Sequence, residues 1–400
     1  MPSLAQWAVA LLFGMTVVPS LADEAGMRVM IGIDPSDDAI RRDQEQAVSL
    51  TPVLSAFLKK KTTVNSTIFL SEVMRATRTQ ENDVIIGPPT VIASAISHGY
   101  RLLAISDRSA TFSLIALPGV AKIENLRGKR LYLTQQDSTR AYLAKGLLRE
   151  ANLNVKALGK LTFGTTSGAG LTALQYGLAD ATLADDAEAG QWLVSHPDVG
   201  HVLATSRKIP SGMGLAVLKS MPASDSAALL NWTTSAAGQN VGLGRLRAAT
   251  AADVDSYGYV ASLGILTPAS MPGASVVTAK RVAELMLGGA LAVDTRTEKE
   301  FKHEHVADAV FAPYGEKSLK EPDFDASLDN ATAIEALPRD KPLIFMCNGP
   351  ECWKSYKASK VAINAGFKNV YWFRGGLPEW RGERLPTTRD TDGKIAASQR

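Results

Sequence analysis

The sequence predicts an α/β protein in two consecutive parts, and three observations carry that expectation. Short apolar runs alternate with segments of helical spacing from Met27 onward, the pattern of strand–helix–strand units with largely parallel sheets. A Pro/Gly/Ser-rich stretch, residues 267–274 (TPASMPGA), interrupts the pattern, and a second alternating series follows it. The length, 400 residues, exceeds what one hydrophobic core ordinarily serves.

Along the chain, residues 27–33 (MRVMIGI) predict a buried strand, 51–60 a helix, and 83–86 a strand closed by Gly87-Pro88-Pro89. Helical spacing resumes at 91–97, and apolar runs follow at 102–105 and 112–117. Residues 126–133 read as a turn into a strand, 139–150 and 170–177 as helices, and 181–183 as a strand. Residues 221–252 are alanine-rich and read as helical. In the second series, 279–287 predict a helix, 290–294 a strand, 343–346 a strand running into Cys347, 355–365 a helix and 370–373 a last strand. There is no internal repeat and no low-complexity tract.

Composition excludes several classes. Hydrophobic content of 46% with 21% charge is globular rather than disordered. The net charge of +3 is spread without a Lys/Arg block, so no nucleic-acid partner is expected. Five scattered histidines show no metal-ligand spacing, and neither a metal nor another cofactor is expected. Residues 8–18 are apolar and end in Pro19-Ser20-Leu21-Ala22, with the small residues a signal peptidase needs. The run is shorter than the roughly 20 residues that span a bilayer. The expectation is a secretory signal over residues 1–22, cleavage near Ala22, and a periplasmic or otherwise exported mature chain without a transmembrane span. An uncleaved anchor or a buried strand is the alternative.

Cys347 and Cys352 are the only cysteines, five apart in one loop. A ring that small constrains little of the unfolded chain, so chemistry explains the pair better than a structural staple, although an exported chain has access to disulfides. An apolar strand ends at Cys347. Asn348, Gly349, Pro350, Glu351, Cys352 and Trp353 follow, and a helix is expected to start near Lys354-Ser355. A cysteine at the C-terminal edge of a parallel strand, facing a helix N-terminus, sits where ligands bind in open α/β sheets. Loop N–H groups and the positive helix end favour an anion there and turn a thiol into a nucleophile. A buried, inert cysteine is the competing reading of the same residues.

The surroundings sharpen this. Asp294-Thr295-Arg296 precedes Glu300-Phe301; His305 and Ala309 follow; Arg374-Gly375-Gly376, Trp380 and Pro386 close the segment. In this order around Cys347, these residues resemble a rhodanese domain. The resemblance implies a persulfide carried on Cys347, taken from a sulfur donor and passed to an acceptor. Glu304 and Asp308 stand where the family usually has glycines near the histidine. Cys347 to Ser355 is eight residues where the family has six, and the loop has no arginine, with Lys354 its only cation. Thiosulfate as substrate is therefore in question, and Trp353 at the sixth position after Cys347 disfavours a phosphatase of the Cys-x5-Arg kind. Cys352 could resolve a Cys347 persulfide, pair with Cys347, or do neither. Arg296 is expected to be salt-bridged within the fold, and Trp380 to pack.

Upstream, Leu126-Arg127-Gly128-Lys129-Arg130-Leu131 leads to Asp137-Ser138-Thr139-Arg140 at a helix start. Leu174-Gln175-Tyr176-Gly177-Leu178-Ala179-Asp180-Ala181 and Ile209-Pro210-Ser211-Gly212-Met213-Gly214 come later. On these residues the segment from 27 to about 265 resembles a type II periplasmic binding protein of the phosphonate and phosphate-ester branch. The physics agrees: Ser138 and Thr139 hydroxyls with free N–H groups make an anion cradle, Thr166 and Ser167 offer a second set, and Asp185 with Asp186 would face a ligand amine. Helix capping is the bland reading of the same residues.

Together these predict a signal at 1–22, a two-lobed solute-binding domain at 23–266, a linker at 267–274, a rhodanese-like parallel α/β domain at 275–390 and a polar tail at 391–400. The expected activity is sulfur transfer beside binding of a small anion, with a sulfur donor and acceptor, a membrane transporter or a periplasmic redox protein as partners. The rivals are a binding or sensory protein whose rhodanese domain is a silent interaction module, and a thiol–disulfide protein using Cys347 and Cys352.

Overall fold

A computed structural model describes residues 26–36, 50–166, 168–239 and 243–389. The expected signal, the polar tail and Ser167 lie outside these residues. The rest divides into two lobes and a C-terminal domain.

The first lobe is built on a six-stranded sheet. Met27–Gly32 lies between Thr62–Thr67 and Val84–Gly87, both parallel to it. The continuous apolar run of Val84–Gly87 suits a strand buried on both faces. Pro89 opens the next helix at its first position, where the missing N–H costs nothing. Gly214–Leu218, Tyr100–Ser106 and Leu246–Ala248 then extend the sheet antiparallel. The expectation of largely parallel sheets fails here because Gly214–Leu218 enters straight from the other lobe, without the crossover that a parallel neighbour needs. The second lobe is likewise mixed, in the order His201–Thr205, Phe112–Ala116, Ala181–Asp185, Arg130–Leu133, Lys160–Phe163. Where the chain crosses between lobes, Ser109–Ala110 and Ile209–Pro210 pair as a short antiparallel ribbon.

Residues 221–252 are not one helical stretch. Helices Ala223–Thr234 and Ala236–Gln239 are followed by the edge strand Leu246–Ala248, which buries Leu246 against the first lobe. A capping box between Thr250 and Asp253 then starts the helix Ala251–Ser262.

The C-terminal domain is a five-stranded, all-parallel sheet: Ser275–Val276, Val370–Phe373, Leu343–Met346, Leu291–Asp294, Val310–Phe311. The central strand alternates strictly. Leu343 and Phe345 enter the core under the helix Trp353–Asn364, while Ile344 and Met346 enter the core on the other face with Trp380. The period-2 pattern thereby aims the residue after Met346 at the C-terminal edge of the sheet.

The domain rests on both lobes. Arg78 and Ser94 of the first lobe hold Glu351 at 2.7 and 2.5 Å. From the second lobe, Asp137 pairs with Lys320 at 2.9 Å, Lys145 with Glu321 at 3.0 Å, and Asn154 donates to Asp323 at 3.0 Å. The connecting segment packs onto the domain. Thr267 donates from N and Oγ1 to the Pro350 carbonyl, Arg374 donates to Thr267, and Met271 is buried beside Trp353, Tyr356 and Trp372.

Candidate functional site

Two cavities carry chemistry. The larger, about 810 Å³, is the cleft between the lobes at the hinge ribbon. Thr139, at the first turn of the helix Thr139–Glu150, reaches it with a side-chain oxygen that is buried and has no hydrogen-bond partner. Such an orphaned hydroxyl carries a desolvation cost until something bonds it. Ser138 stands behind it as the N-cap: its Oγ accepts from Ala141 N at 3.1 Å and bonds Thr134 Oγ1 at 2.7 Å. Arg140 pairs within the second lobe with Glu188 at 2.7 Å and Asp185 at 3.5 Å, and donates across the cleft to the Ser36 carbonyl at 3.4 Å. Asp185 caps the helix Asp186–Ser195, and Asp186 is held by the hydroxyls of Thr111 and Ser113. Arg108 and Lys208 line the cleft, exposed and without a carboxylate partner among the described residues.

The second site surrounds Cys347. Cys347 and Cys352 are joined in a disulfide, 1% and 7% exposed, with Cα atoms 6.0 Å apart. Gly376 closes the loop from behind: Leu377 N donates to the Cys347 carbonyl at 3.0 Å, and a Cβ on Gly376 would lie 2.1 Å from that oxygen. That close approach, with φ +56°, is why glycine is needed at 376. Asn348 accepts from Arg296 and donates to Glu300, so its amide is committed. Gly349 turns the chain at φ +98°. Glu351, 3% exposed, is clasped by Arg78, Ser94 and His98. Burial holds the His98 pKa below its ordinary value against the pull of Glu351, and its Nε2 has no partner.

The helix begins at Trp353, two residues before the expected start, and Cys352 is its N-cap. The positive helix end therefore starts at Cys352 itself and lies beside the disulfide, closer along the chain to Cys352 than to Cys347. Ser355 lies inside the helix, where its Oγ accepts from Trp372 Nε1 at 3.1 Å. Trp353 is core. Lys354 is half-buried and faces a cavity of about 260 Å³ between the C-terminal domain and the lobes. Both cysteines line this cavity with Arg296, Glu300, Glu316, Lys317 and Lys320, while Ser71, Arg75, Arg78, Gln136 and Asp137 come from the lobes. Burial alone would raise the Asp137 pKa. The Lys320 ammonium and hydrogen bonds from Lys320 and Tyr142 outweigh it and leave the carboxyl below its ordinary value. Lys320 is correspondingly raised, its own burial overcome by Asp137.

Thr139 and Asp185 are thus brought to the cleft, and Ser138 supports them. Thr166 is exposed on the second lobe and does not line the cleft. Arg296 forms the expected internal pair with Asp294 at 2.6 Å, and Trp380 is buried with Nε1 bonded to the Pro386 carbonyl. His305 is stacked on Phe301, away from the cavity. Arg108 and Lys208, and the cavity residues Arg75, Arg78, Lys317 and Lys320, carried no local motif.

The fold is that of a two-lobed binding domain with its cleft between the lobes, followed by an all-parallel α/β domain. A family model described as the periplasmic substrate-binding protein of phosphonate ABC transporters matches residues 41–254, and a rhodanese-like domain model matches residues 278–383. The chain belongs to that phosphonate-binding family and carries a rhodanese-like domain at its C-terminal side. No curated protein matches it. Solved structures that do include XAC2383 from Xanthomonas citri bound to ATP, 10% identical, covering 60% of this chain and 97% of that one at a TM-score of 0.49. PhnD1 from Prochlorococcus marinus in complex with methylphosphonate is 13% identical, with coverages of 60% and 96% and a TM-score of 0.45. A binding protein component of an ABC phosphonate transporter from Pseudomonas aeruginosa is 12% identical, with coverages of 66% and 94% and a TM-score of 0.44. Among the described residues, no helix is long and apolar enough to cross a membrane, and no cluster of His, Cys, Asp and Glu could hold a metal ion.

Proposed function

We propose that this chain is an exported binding protein for a small phosphonate-like anion, working with an ABC transporter, whose rhodanese-like domain carries sulfur on Cys347. The observation that carries the binding half is the cleft: a buried, unpartnered Thr139 hydroxyl at a helix N-terminus, with Arg108 and Lys208 exposed and without a carboxylate partner among the described residues. An oxyanion in this cleft would have a hydroxyl donor and two cations among the lining residues. Calorimetry with methylphosphonate, phosphate and alkanesulfonates tests it; no heat with any of them would sink the reading.

The sulfur half is supported by Cys347 at the end of the central strand, in a cavity rich in cations. The disulfide must first be opened by a two-electron reductant, such as the dithiol of a redox partner. The Cys347 thiolate then attacks the outer sulfur of a donor such as thiosulfate; a new S–S bond forms and sulfite leaves with the electron pair of the broken one. Intact mass of the reduced chain after incubation with thiosulfate, polysulfide or persulfidated glutathione reads one added sulfur atom. A second reading, thiol–disulfide exchange, is favoured by the Cys347–Cys352 bond itself. It wins if the pair equilibrates with a glutathione redox buffer while no donor leaves a sulfur atom behind.

A further inference from the structure

The loop bearing Cys347 has no arginine, yet the cavity it faces is lined by Arg75, Arg78, Arg296, Lys317, Lys320 and Lys354. Its lining carboxylates are Asp137, Glu300 and Glu316, and Asp294, Glu81 and Glu351 outside the lining pair with Arg296, Arg75 and Arg78. Arg296 and Lys320 are matched by Asp294 and Asp137; Lys354 acts on Glu300 through its charge without a direct ion pair, and Lys317 forms no ion pair among the described residues. Arg75 shares an exposed pair with Glu81 at 3.1 Å. Arg78 holds Glu351, but its Nε is buried and unpartnered. Both arginines stand on one helix, Leu70–Thr79, which belongs to the binding domain. With the cysteines almost fully buried, this cavity is where a reagent meets the disulfide.

We propose that the binding domain completes the sulfur site: Arg75 and Arg78 face the Cys347 loop across the interdomain cavity, and the composite pocket admits small dianionic sulfur nucleophiles of the sulfite kind to the disulfide. The inference rests on the reading of Cys347 as the sulfur-carrying cysteine and names what opens its resting state. The nucleophile's sulfur lone pair forms a bond to Cys347 Sγ. The Cys347–Cys352 bond breaks, and its electron pair leaves on Cys352 as thiolate. With sulfite the products are Cys347 S-sulfonate and Cys352 thiolate: sulfite is oxidised by two electrons, the disulfide is reduced by two, and no proton or further reactant is needed. Cys352 is the leaving group because it caps the twelve-residue helix Trp353–Asn364. The positive helix end stabilises its thiolate, and the more acidic thiol departs faster.

The test uses the oxidised full-length protein and three thiols of similar size: cysteamine, 2-mercaptoethanol and 2-mercaptoethanesulfonate. Their thiolate forms are net neutral, singly and doubly negative. Rate constants for disulfide opening, taken per thiolate, are expected to rise with negative charge by about 10- to 1,000-fold across the series. Arg75→Gln should cut the advantage of the dianion by about tenfold, and Lys354→Gln likewise. Lys299→Gln removes an exposed cation outside the cavity and should leave it unchanged. Sulfite should give an adduct that peptide mass mapping places on Cys347. A flat charge series, or cavity variants that behave like Lys299→Gln, overturns the composite site; a sulfite adduct on Cys352, or none, overturns the chemical step. These readouts do not require persulfide formation. A prereduced chain that takes no sulfur from any donor sinks the sulfur-transfer reading and leaves the charge series standing.

Discussion

The two cavities are both lined by charge, but they are built in opposite ways. In the interlobe cleft, Arg140 is already answered by Glu188 and Asp185, and Asp186 by two hydroxyls. Its buried uncommitted group is the Thr139 hydroxyl, with Arg108 and Lys208 exposed nearby, and no cysteine lines it among the described residues. In the interdomain cavity the uncommitted groups are again cations, but they surround a sulfur–sulfur bond. The first arrangement holds an anion unchanged, and the second holds one against a group that can react. Anion affinity and anion chemistry are therefore separate properties of this molecule, and substitutions should separate them.

The largest effect expected is total. Cys347→Ser should abolish sulfur uptake by the reduced chain in intact-mass assays, while the cleft's calorimetric affinity stays within about twofold of the parent, since the two sites share no side chain. Cys352→Ser should still accept the first sulfur. Next, Arg108→Ala combined with Lys208→Ala should weaken anion binding by about 100-fold, two charge-assisted contacts being lost, and leave thiol reactivity alone. If the same double variant slowed disulfide opening comparably, the comparison between the cavities would collapse.

Smaller effects sharpen the assignment within the cleft. Thr139→Val should lower affinity by about tenfold with little change in stability, because its hydroxyl bonds nothing in the empty cleft. Ser138→Ala should do the reverse. Losing the N-cap costs about 1 kcal/mol of stability, read as a lower Tm, and affinity changes only as far as the helix end frays. Equal affinity losses from both would mean that the cap, not the hydroxyl, matters. The smallest effect is acid sensitivity. Asp137, lowered by Lys320, contributes stability that is present above its unfolded value of about 4 and is lost as pH falls through the lower folded one. Asp137→Asn should therefore flatten the acid limb of Tm against pH; an unchanged limb would show that the pair does not brace the domains.

Much of this was legible in the sequence where local pattern decides the outcome. Leu343–Met346 is too short and too apolar to be anything but a buried strand, and it fixes Cys347. Helix Thr139–Glu150 was legible from its cap. The helix after Cys347 was misplaced because Ser355 looks like a cap, whereas Cys352 takes that position and Ser355 holds Trp372. Leu246–Ala248 was lost among alanines because its strand character comes from pairing with Tyr100–Ser106. The interdomain cavity was invisible, since its walls come from segments around 75, 137, 296, 318 and 350 that only the docked arrangement brings together. The same docking bears on the boundary at 267–274. With Thr267 and Met271 buried, proteolysis there should be slower than the Pro/Gly composition suggests.

One turn belongs to both cavities. Asp137 lines the interdomain cavity, Thr139 lines the interlobe cleft, and Ser138 between them caps the helix that Thr139 begins. Asp137 and Thr139 are two peptide bonds apart, so this turn is the shortest covalent path between the two cavities. Thermodynamic reciprocity then applies. By whatever factor an anion in the cleft alters the disulfide equilibrium, opening the disulfide must alter the anion's affinity by the same factor. Where that factor is one, the cavities are independent; where it is not, cleft occupancy reads as a shift of the disulfide's midpoint potential.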